Sequence, residues 1–159
     1  MSAEDFQDPL QNYEPKEFAD PIQEALAEET VGSIQHTPYA TILPETPVGE
    51  AIRELAAAHV ACLLVVEEEG RLVGVFSDRD ALDKVALEYD DVQDRPVSEF
   101  MTPNPVYVYE TDASASALCV MAVNRHRHVP ILDLDEKVTG IISPQRVTQF
   151  LHDRLVGTA

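Results

Sequence analysis

The sequence predicts an α/β (α+β) protein of two pseudo-twofold-related repeats, each a small sheet covered by two helices, with an extra N-terminal helix. Three observations predict this. The order strand, helix, strand, strand, helix occurs twice, 66 residues apart. Apolar runs flank an acidic turn in both passes, and helix-start signals fall at matching points. Residues 1–19 mix acids, Gln, Pro and aromatics without a stable period and read as an acidic N-terminal arm. Residues 20–90 hold the extra helix and the first repeat, and residues 91–155 hold a linker and the second.

The elements follow in order. Asp20 caps a helix with Pro21 at N1 and Gln23 at N3, whose Ile22, Ala25 and Leu26 turn inward as far as about residue 29. A helix this short must lean on the body. Thr41-Ile42-Leu43 reads as a strand, and Thr46 as a cap before an N1 proline, Pro47. Val48, Ala51, Ile52, Leu55 and Ala58 then form a helical stripe. Cys62–Val66 and Leu72–Phe76 flank an acidic turn, Glu67–Gly70, and pair as a hairpin. A helix opens near Ser77 with Ala81, Leu82 and Val85 on one side. Residues 86–96 form an acidic join. The second pass runs through Val106–Val108, a cap at Asp112, then Ala113, Ala117, Leu118 and Met121. It continues with His128–Leu132, the turn Asp133–Lys137, Val138–Ile142, and a helix start at Ser143-Pro144. Ala51/Ala117, Ala56/Ala122, Gly74/Gly140 and Ser77/Ser143 fall in register. A half of about 55 residues has too little interior to be stable alone, so the halves should pack on one another.

Composition narrows the function. Acids outnumber Lys and Arg 29 to 11, for a formal net charge of −18, which repels nucleic acid and anionic membrane surfaces. No apolar run approaches the length of a membrane span, and the acidic Met1–Asp5 is unlike a signal peptide, so a cytoplasmic location is expected. Cys62 and Cys119 both lie in apolar runs and read as buried small side chains. No metal site is expected: His126 and His128 share a strand face, but no further ligand is near in sequence.

Two clusters carry chemistry. Ser77-Asp78-Arg79-Asp80 follows a strand and opens a helix, which places the Asp80 carboxylate about one turn in, near free backbone N–H groups. A carboxylate can accept both hydroxyls of a ribose diol. Ser-x-x-Asp is equally a capping box, and residue types alone leave both roles open. Arg125-His126-Arg127-His128 concentrates two of eight arginines and two of five histidines in four residues, suiting a phosphate, although a solvated helix-to-strand turn would look the same.

These motifs, with Phe100-Met101-Thr102-Pro103, Arg127-His128-Val129-Pro130, Gly74–Asp80 and Gly140–Ser143, resemble the tandem CBS domain pair, or Bateman module, over about residues 18–155. The resemblance implies an adenosine-containing ligand between the halves and a disc-like homodimer. It gives Ser77 and Asp80 the ribose, through the pattern Gly-x-x-Ser/Thr-x-x-Asp. It gives Arg127 and His128, with Arg125 as a weaker addition, the phosphates reached from the opposite repeat. It gives the adenine to Pro38, Tyr39 and Ala40, through backbone groups and apolar contact, in the same cleft as Asp80. Tyr39 could lie on the ring or be a packing residue. Such modules are frequently fused to an enzyme, channel or transporter, for which this chain is expected to have no room.

The second repeat departs from the pattern. Arg146 stands at the counterpart of Asp80, and a donor-only side chain cannot accept from a diol. Ala61 and Cys62 stand opposite Arg127 and His128 in the register. One competent nucleotide cleft per chain is therefore expected, with Arg146 salvaging phosphate binding in another pose as the alternative. The expected function is non-catalytic sensing of an adenosine nucleotide, AMP favoured over ADP and ATP, with S-adenosylmethionine and a regulated protein partner left open. No cofactor is expected, and neither a nucleophile elbow nor a Gly-rich phosphate loop points to an enzyme. The alternative is a protein-interaction module with a degenerate cleft. Helix faces bearing Ala51, Leu55 and Ala58, or Ala117, Val120 and Met121, are candidates for the dimer contact, with core packing inside one chain as the competing role.

Overall fold

The computed structural model describes residues 14–157; the acidic arm before residue 14 lies outside them. Helix α1 spans Pro21–Glu28, and the Gln23 N–H donates to Asp20 Oδ1 at 2.8 Å, the cap expected from sequence. The body comprises β1 (Thr41–Ile42), α2 (Val48–Ala58), β2 (Cys62–Val66), β3 (Leu72–Ser77) and α3 (Asp78–Asp80). A π turn (Ala81–Val85) and a 3-10 turn (Ala86–Glu88) lead to α4 (Tyr89–Val92). Then come β4 (Thr102–Pro103), β5 (Val108–Tyr109), α5 (Ser114–Asn124), β6 (Val129–Leu132), β7 (Val138–Ile142) and α6 (Pro144–Val156). One sheet has the order β1-β2-β3-β4 and the other β5-β6-β7, with β1/β2 and β5/β6 parallel and both hairpins antiparallel.

The repeat is visible in individual hydrogen bonds. Val48 N–H donates to the Arg95 carbonyl and Ser114 N–H to the Glu29 carbonyl, each at 2.8 Å; both partners are related by the 66-residue offset. Val97 N–H to Thr46 O (2.7 Å) and Val31 N–H to Asp112 O (2.8 Å) form a second such pair. The Arg95 and Glu29 carbonyls replace the side-chain caps expected at Thr46 and Asp112. Helices α2 and α5 start one residue later, with Pro47 and Ala113 at the cap position and no side-chain cap bond. Asp112 Oδ2 instead accepts from Tyr109 N–H at 2.8 Å. The free N–H groups at a helix start need an acceptor, and here the chain entering each repeat supplies it.

The two repeats are also interlocked. The segment leading into the second repeat pairs with the first repeat's sheet, Thr102 opposite Val75. The segment leading into the first repeat lies on the second, where Ile141 N–H donates to His36 O at 3.0 Å. A Cβ on Gly140 would stand 2.7 Å from the His36 carbonyl oxygen and one on Gly74 2.3 Å from Met101 Sδ, so both matched glycines make room for the crossing segments. Helix α1 accordingly packs on α5 and α6 of the second repeat, with Ser114 Oγ donating to Ala25 O at 2.9 Å.

Strand β2 is buried throughout because its two faces serve different cores. Leu63 and Val65 join Val48, Ala51, Leu55, Phe76 and Val97 under α2. Cys62, Leu64 and Val66 meet Ile141 between the repeats, backed by Tyr39, Leu72, Val75 and Val138. Ala51, Leu55 and Ala117 are thus core residues of their own chain, which removes them from the candidate dimer faces. Two expectations fail at exposed positions: Cys119 lies on the outer side of α5, and Leu82 is 69% exposed on the π turn, which departs from the register of a regular helix. Among the described residues no helix is long and apolar enough to cross a membrane.

Candidate functional site

Strand β3 ends at Ser77, and the extended backbone there turns into α3 as a reciprocal cap. The Ser77 N–H and Oγ–H both donate to Asp80 Oδ2 at 2.9 Å, and Ser77 Oγ accepts from Asp80 N–H at 3.3 Å. The capping-box role of Ser-x-x-Asp is therefore present. It also fixes the carboxylate rotamer, leaving Oδ1 as the oxygen not used by the cap. Asp80 is only 8% exposed. Oδ1 meets Lys84 Nζ at 2.7 Å and Thr102 Oγ1 at a longer 3.4 Å.

The basic cluster enters from the other repeat. Helix α5 ends at Asn124 with Arg125 in the left-handed region (φ 55°), which turns the chain sharply so that Arg125-His126-Arg127-His128 leads back into β6. All four line one cleft of about 350 Å³ together with Ser77, Asp78, Arg79, Asp80, Asp83, Lys84, Val75 and Thr102. That volume is at the small end for a ligand pocket. Arg79 pairs with Asp83 at 3.5 Å, whereas neither Arg125 nor Arg127 has a carboxylate within ion-pair distance among the described residues. Burial holds the His128 pKa below the ordinary imidazole value, with Arg127 and Arg146 acting the same way and Asp78 opposing them.

Pro38 does not reach this cleft. The interlock carries it to the opposite one, where its carbonyl accepts from Arg146 Nη2 at 2.6 Å. Ala40 packs in the core of the first repeat. Tyr39 packs between the repeats, its hydroxyl donating to the Val138 carbonyl at 3.4 Å, which favours the packing role. The lead-in beside Asp80 belongs to the second repeat and brings Thr102. Thr102, Asp83 and Lys84 are cleft residues to which sequence reasoning assigned no role. Thr102 had a signal, since it is His36 plus 66, but only the crossing of the lead-ins assigns it to Asp80.

The opposite cleft, of about 310 Å³, is lined by Pro38, His59–Cys62, Arg127, His128, Ile141 and Ser143–Arg146. Ala61 and Cys62 are there as the register implies, but Arg127 and His128 reach it too, so its cationic end is not depleted. Burial pushes the Cys62 thiol up to about 12, with Asp80 and Asp78 adding to the effect, and it stays a neutral packing group. Among the described residues no three His, Cys, Asp or Glu side chains gather as a metal site.

The duplicated unit is one found in known proteins. The CBS domain pattern matches residues 31–87 and again 97–153. The chain belongs to the CBS-domain family. Its CBS pair is 32% identical over 132 residues to the Arabidopsis thaliana CBS domain-containing protein CBSCBSPB5, covering 83% of this chain but only 23% of that protein. It is 31% identical over 123 residues to an uncharacterised 17.7 kDa protein of Acidianus ambivalens, covering 77% and 73% of the two chains. Among solved structures, the CBS domain protein NE2398 superposes with a TM-score of 0.67 at 31% identity over 76% of this chain and 95% of that one. CBSX2, solved in complex with AMP, superposes with a TM-score of 0.65 at 28% identity over 76% and 93%.

Proposed function

We propose that the CBS pair is a non-catalytic regulatory module that binds one adenosine nucleotide in the cleft between Asp80 and the Arg127-His128 pair. One observation carries the reading: a nearly buried carboxylate from one repeat lines the same cleft as guanidinium groups from the other that have no carboxylate within ion-pair distance among the described residues. The carboxylate accepts the ribose diol at Oδ1, where Thr102 and Lys84 give way to it. Arg127 forks onto the phosphate, and Arg125 and His128 add donors. The adenine lies against the lead-in around Thr102 rather than against Pro38–Ala40. Relatedness to CBSX2, whose solved complex contains AMP, supports the ligand class.

AMP is favoured over ADP and ATP because the cleft is small and Asp78, Asp80 and Asp83 stand along its other side, where a longer phosphate chain meets repulsion. Binding becomes a signal if the nucleotide has different affinity for two packings of the repeats or of two chains. A homodimer and a regulated protein partner are part of this proposal.

A calorimetric titration with AMP, ADP, ATP and S-adenosylmethionine, repeated on Asp80→Ala, tests it. One AMP per chain, weakened tenfold or more by the substitution, is expected. No uptake of any of the four overturns it in favour of a protein-interaction module with a degenerate cleft.

A further inference from the structure

The opposite cleft stands out by charge. In a chain with 29 acids, none of its twelve lining residues is Asp or Glu, while Arg127, Arg146, His59 and His128 all line it. Arg146 is held in place by Nη1 donating to the Ile141 carbonyl at 2.7 Å and Nη2 to the Pro38 carbonyl at 2.6 Å. Carbonyl dipoles orient a guanidinium but do not neutralise its charge, and among the described residues neither Arg127 nor Arg146 has a carboxylate within ion-pair distance. Two arginines sharing a partly enclosed space without a counter-charge repel one another, a cost that an anion between them reverses.

The same residues lack the carboxylate that holds a ribose diol. The position that offers a carboxylate to a diol in the first cleft offers only donors here, and Ser143 Oγ is already engaged by Arg146 N–H at 3.4 Å. We infer that this second cleft is a site for a phosphate-type oxyanion that carries no ribose, held between Arg146 and Arg127 with His128 and His59 as further donors. The α6 dipole, whose positive end opens at Pro144, adds in the same direction. Arg127 and His128 line both clefts, so the oxyanion draws on the cations that face the first cleft.

The test is a titration of the full chain with inorganic phosphate and pyrophosphate, without nucleotide, at low and moderate salt. Gln145 is exposed and lines only this one of the two clefts, and among the described residues its side chain has no hydrogen-bond partner, so its charge can be changed with the fold intact. One anion per chain is expected, weakened at least fivefold by Gln145→Glu and strengthened by Gln145→Lys. Arg146→Gln should weaken it tenfold or more while the thermal midpoint reports whether the chain remains folded. Absence of uptake overturns the inference, and so does uptake indifferent to both Gln145 variants, because the anion would then sit elsewhere. Uptake of adenosine in this cleft, recognised as binding that survives Asp80→Ala, also overturns it.

Discussion

Lys84 Nζ lies 2.7 Å from Asp80 Oδ1 and 2.8 Å from the Phe100 carbonyl oxygen, so one ammonium ties the carboxylate of the first cleft to the segment that enters β4. With Ser77 donating twice to Oδ2 and Thr102 donating weakly to Oδ1, the carboxylate has donors at all four of its lone-pair positions. A diol can bind only by displacing some of them. Thr102 is the weakest, and Lys84 is the one with somewhere else to go, since its side chain is 41% exposed.

Lys84 is thus an internal competitor of the ribose. Replacing it with methionine should tighten binding of uncharged adenosine by about fivefold, the equivalent of about 1 kcal/mol for one released hydrogen bond, and lower folding stability by a similar amount. Calorimetry with adenosine and a urea melt measure both. Weaker adenosine binding in Lys84→Met would mean that the ammonium supports the diol site instead of competing with it.

The interlock of the lead-ins makes a separate prediction at the matched glycines. Gly140→Ala forces a Cβ onto the His36 backbone, which cannot move without breaking its bond to Ile141, whereas Gly74→Ala meets the flexible end of Met101. Gly140→Ala should therefore cost about 3 kcal/mol and Gly74→Ala about 1 kcal/mol in chemical unfolding. Equal costs would contradict the unequal freedom of the two crossing segments.

The depressed His128 pKa gives a pH dependence of defined sign. The ring is neutral in the free protein at pH 7.5, and a phosphate dianion beside it favours the charged form, so AMP binding takes up a proton. Affinity for AMP should rise as pH falls from about 8 to about 6.5, until the phosphate itself begins to protonate near pH 6. His128→Gln should flatten the profile, and adenosine should show none. Because the folded value lies below the unfolded one, the unliganded protein should also lose some stability as pH falls through about 6.5. An AMP profile with the same slope in His128→Gln would assign the proton to another group.

Much of this architecture was legible because it is written twice. Local signals such as Asp20 before Pro21, Ser77 before Asp80 and the turn Glu67–Gly70 depend on neighbours in the chain, and the structure has all three, with Gly70 at φ 83°. Thr46 and Asp112 failed as caps because a carbonyl from the lead-in outcompetes a side chain for the first N–H groups, a contact between residues 47 positions apart for Val48 and Arg95. The same long-range crossing moved Pro38 to the opposite cleft and put Thr102 beside Asp80. Lys84 stands four residues after Asp80, the ordinary spacing of a helical ion pair, so its signal was present in the sequence but was not used, while Leu82 is turned outward on the π turn. The 66-residue offset displays which segments are equivalent, but not which repeat each of them joins.

The most direct test separates the two ends of the ligand. AMP and adenosine are titrated against wild type, Asp80→Ala and Arg127→Gln by calorimetry. The account predicts that Asp80→Ala weakens both ligands by about tenfold or more, while Arg127→Gln weakens AMP and leaves adenosine unchanged. If both substitutions leave AMP binding intact, or if Arg127→Gln affects adenosine as strongly as AMP, the ribose and phosphate are not held from opposite repeats in this cleft.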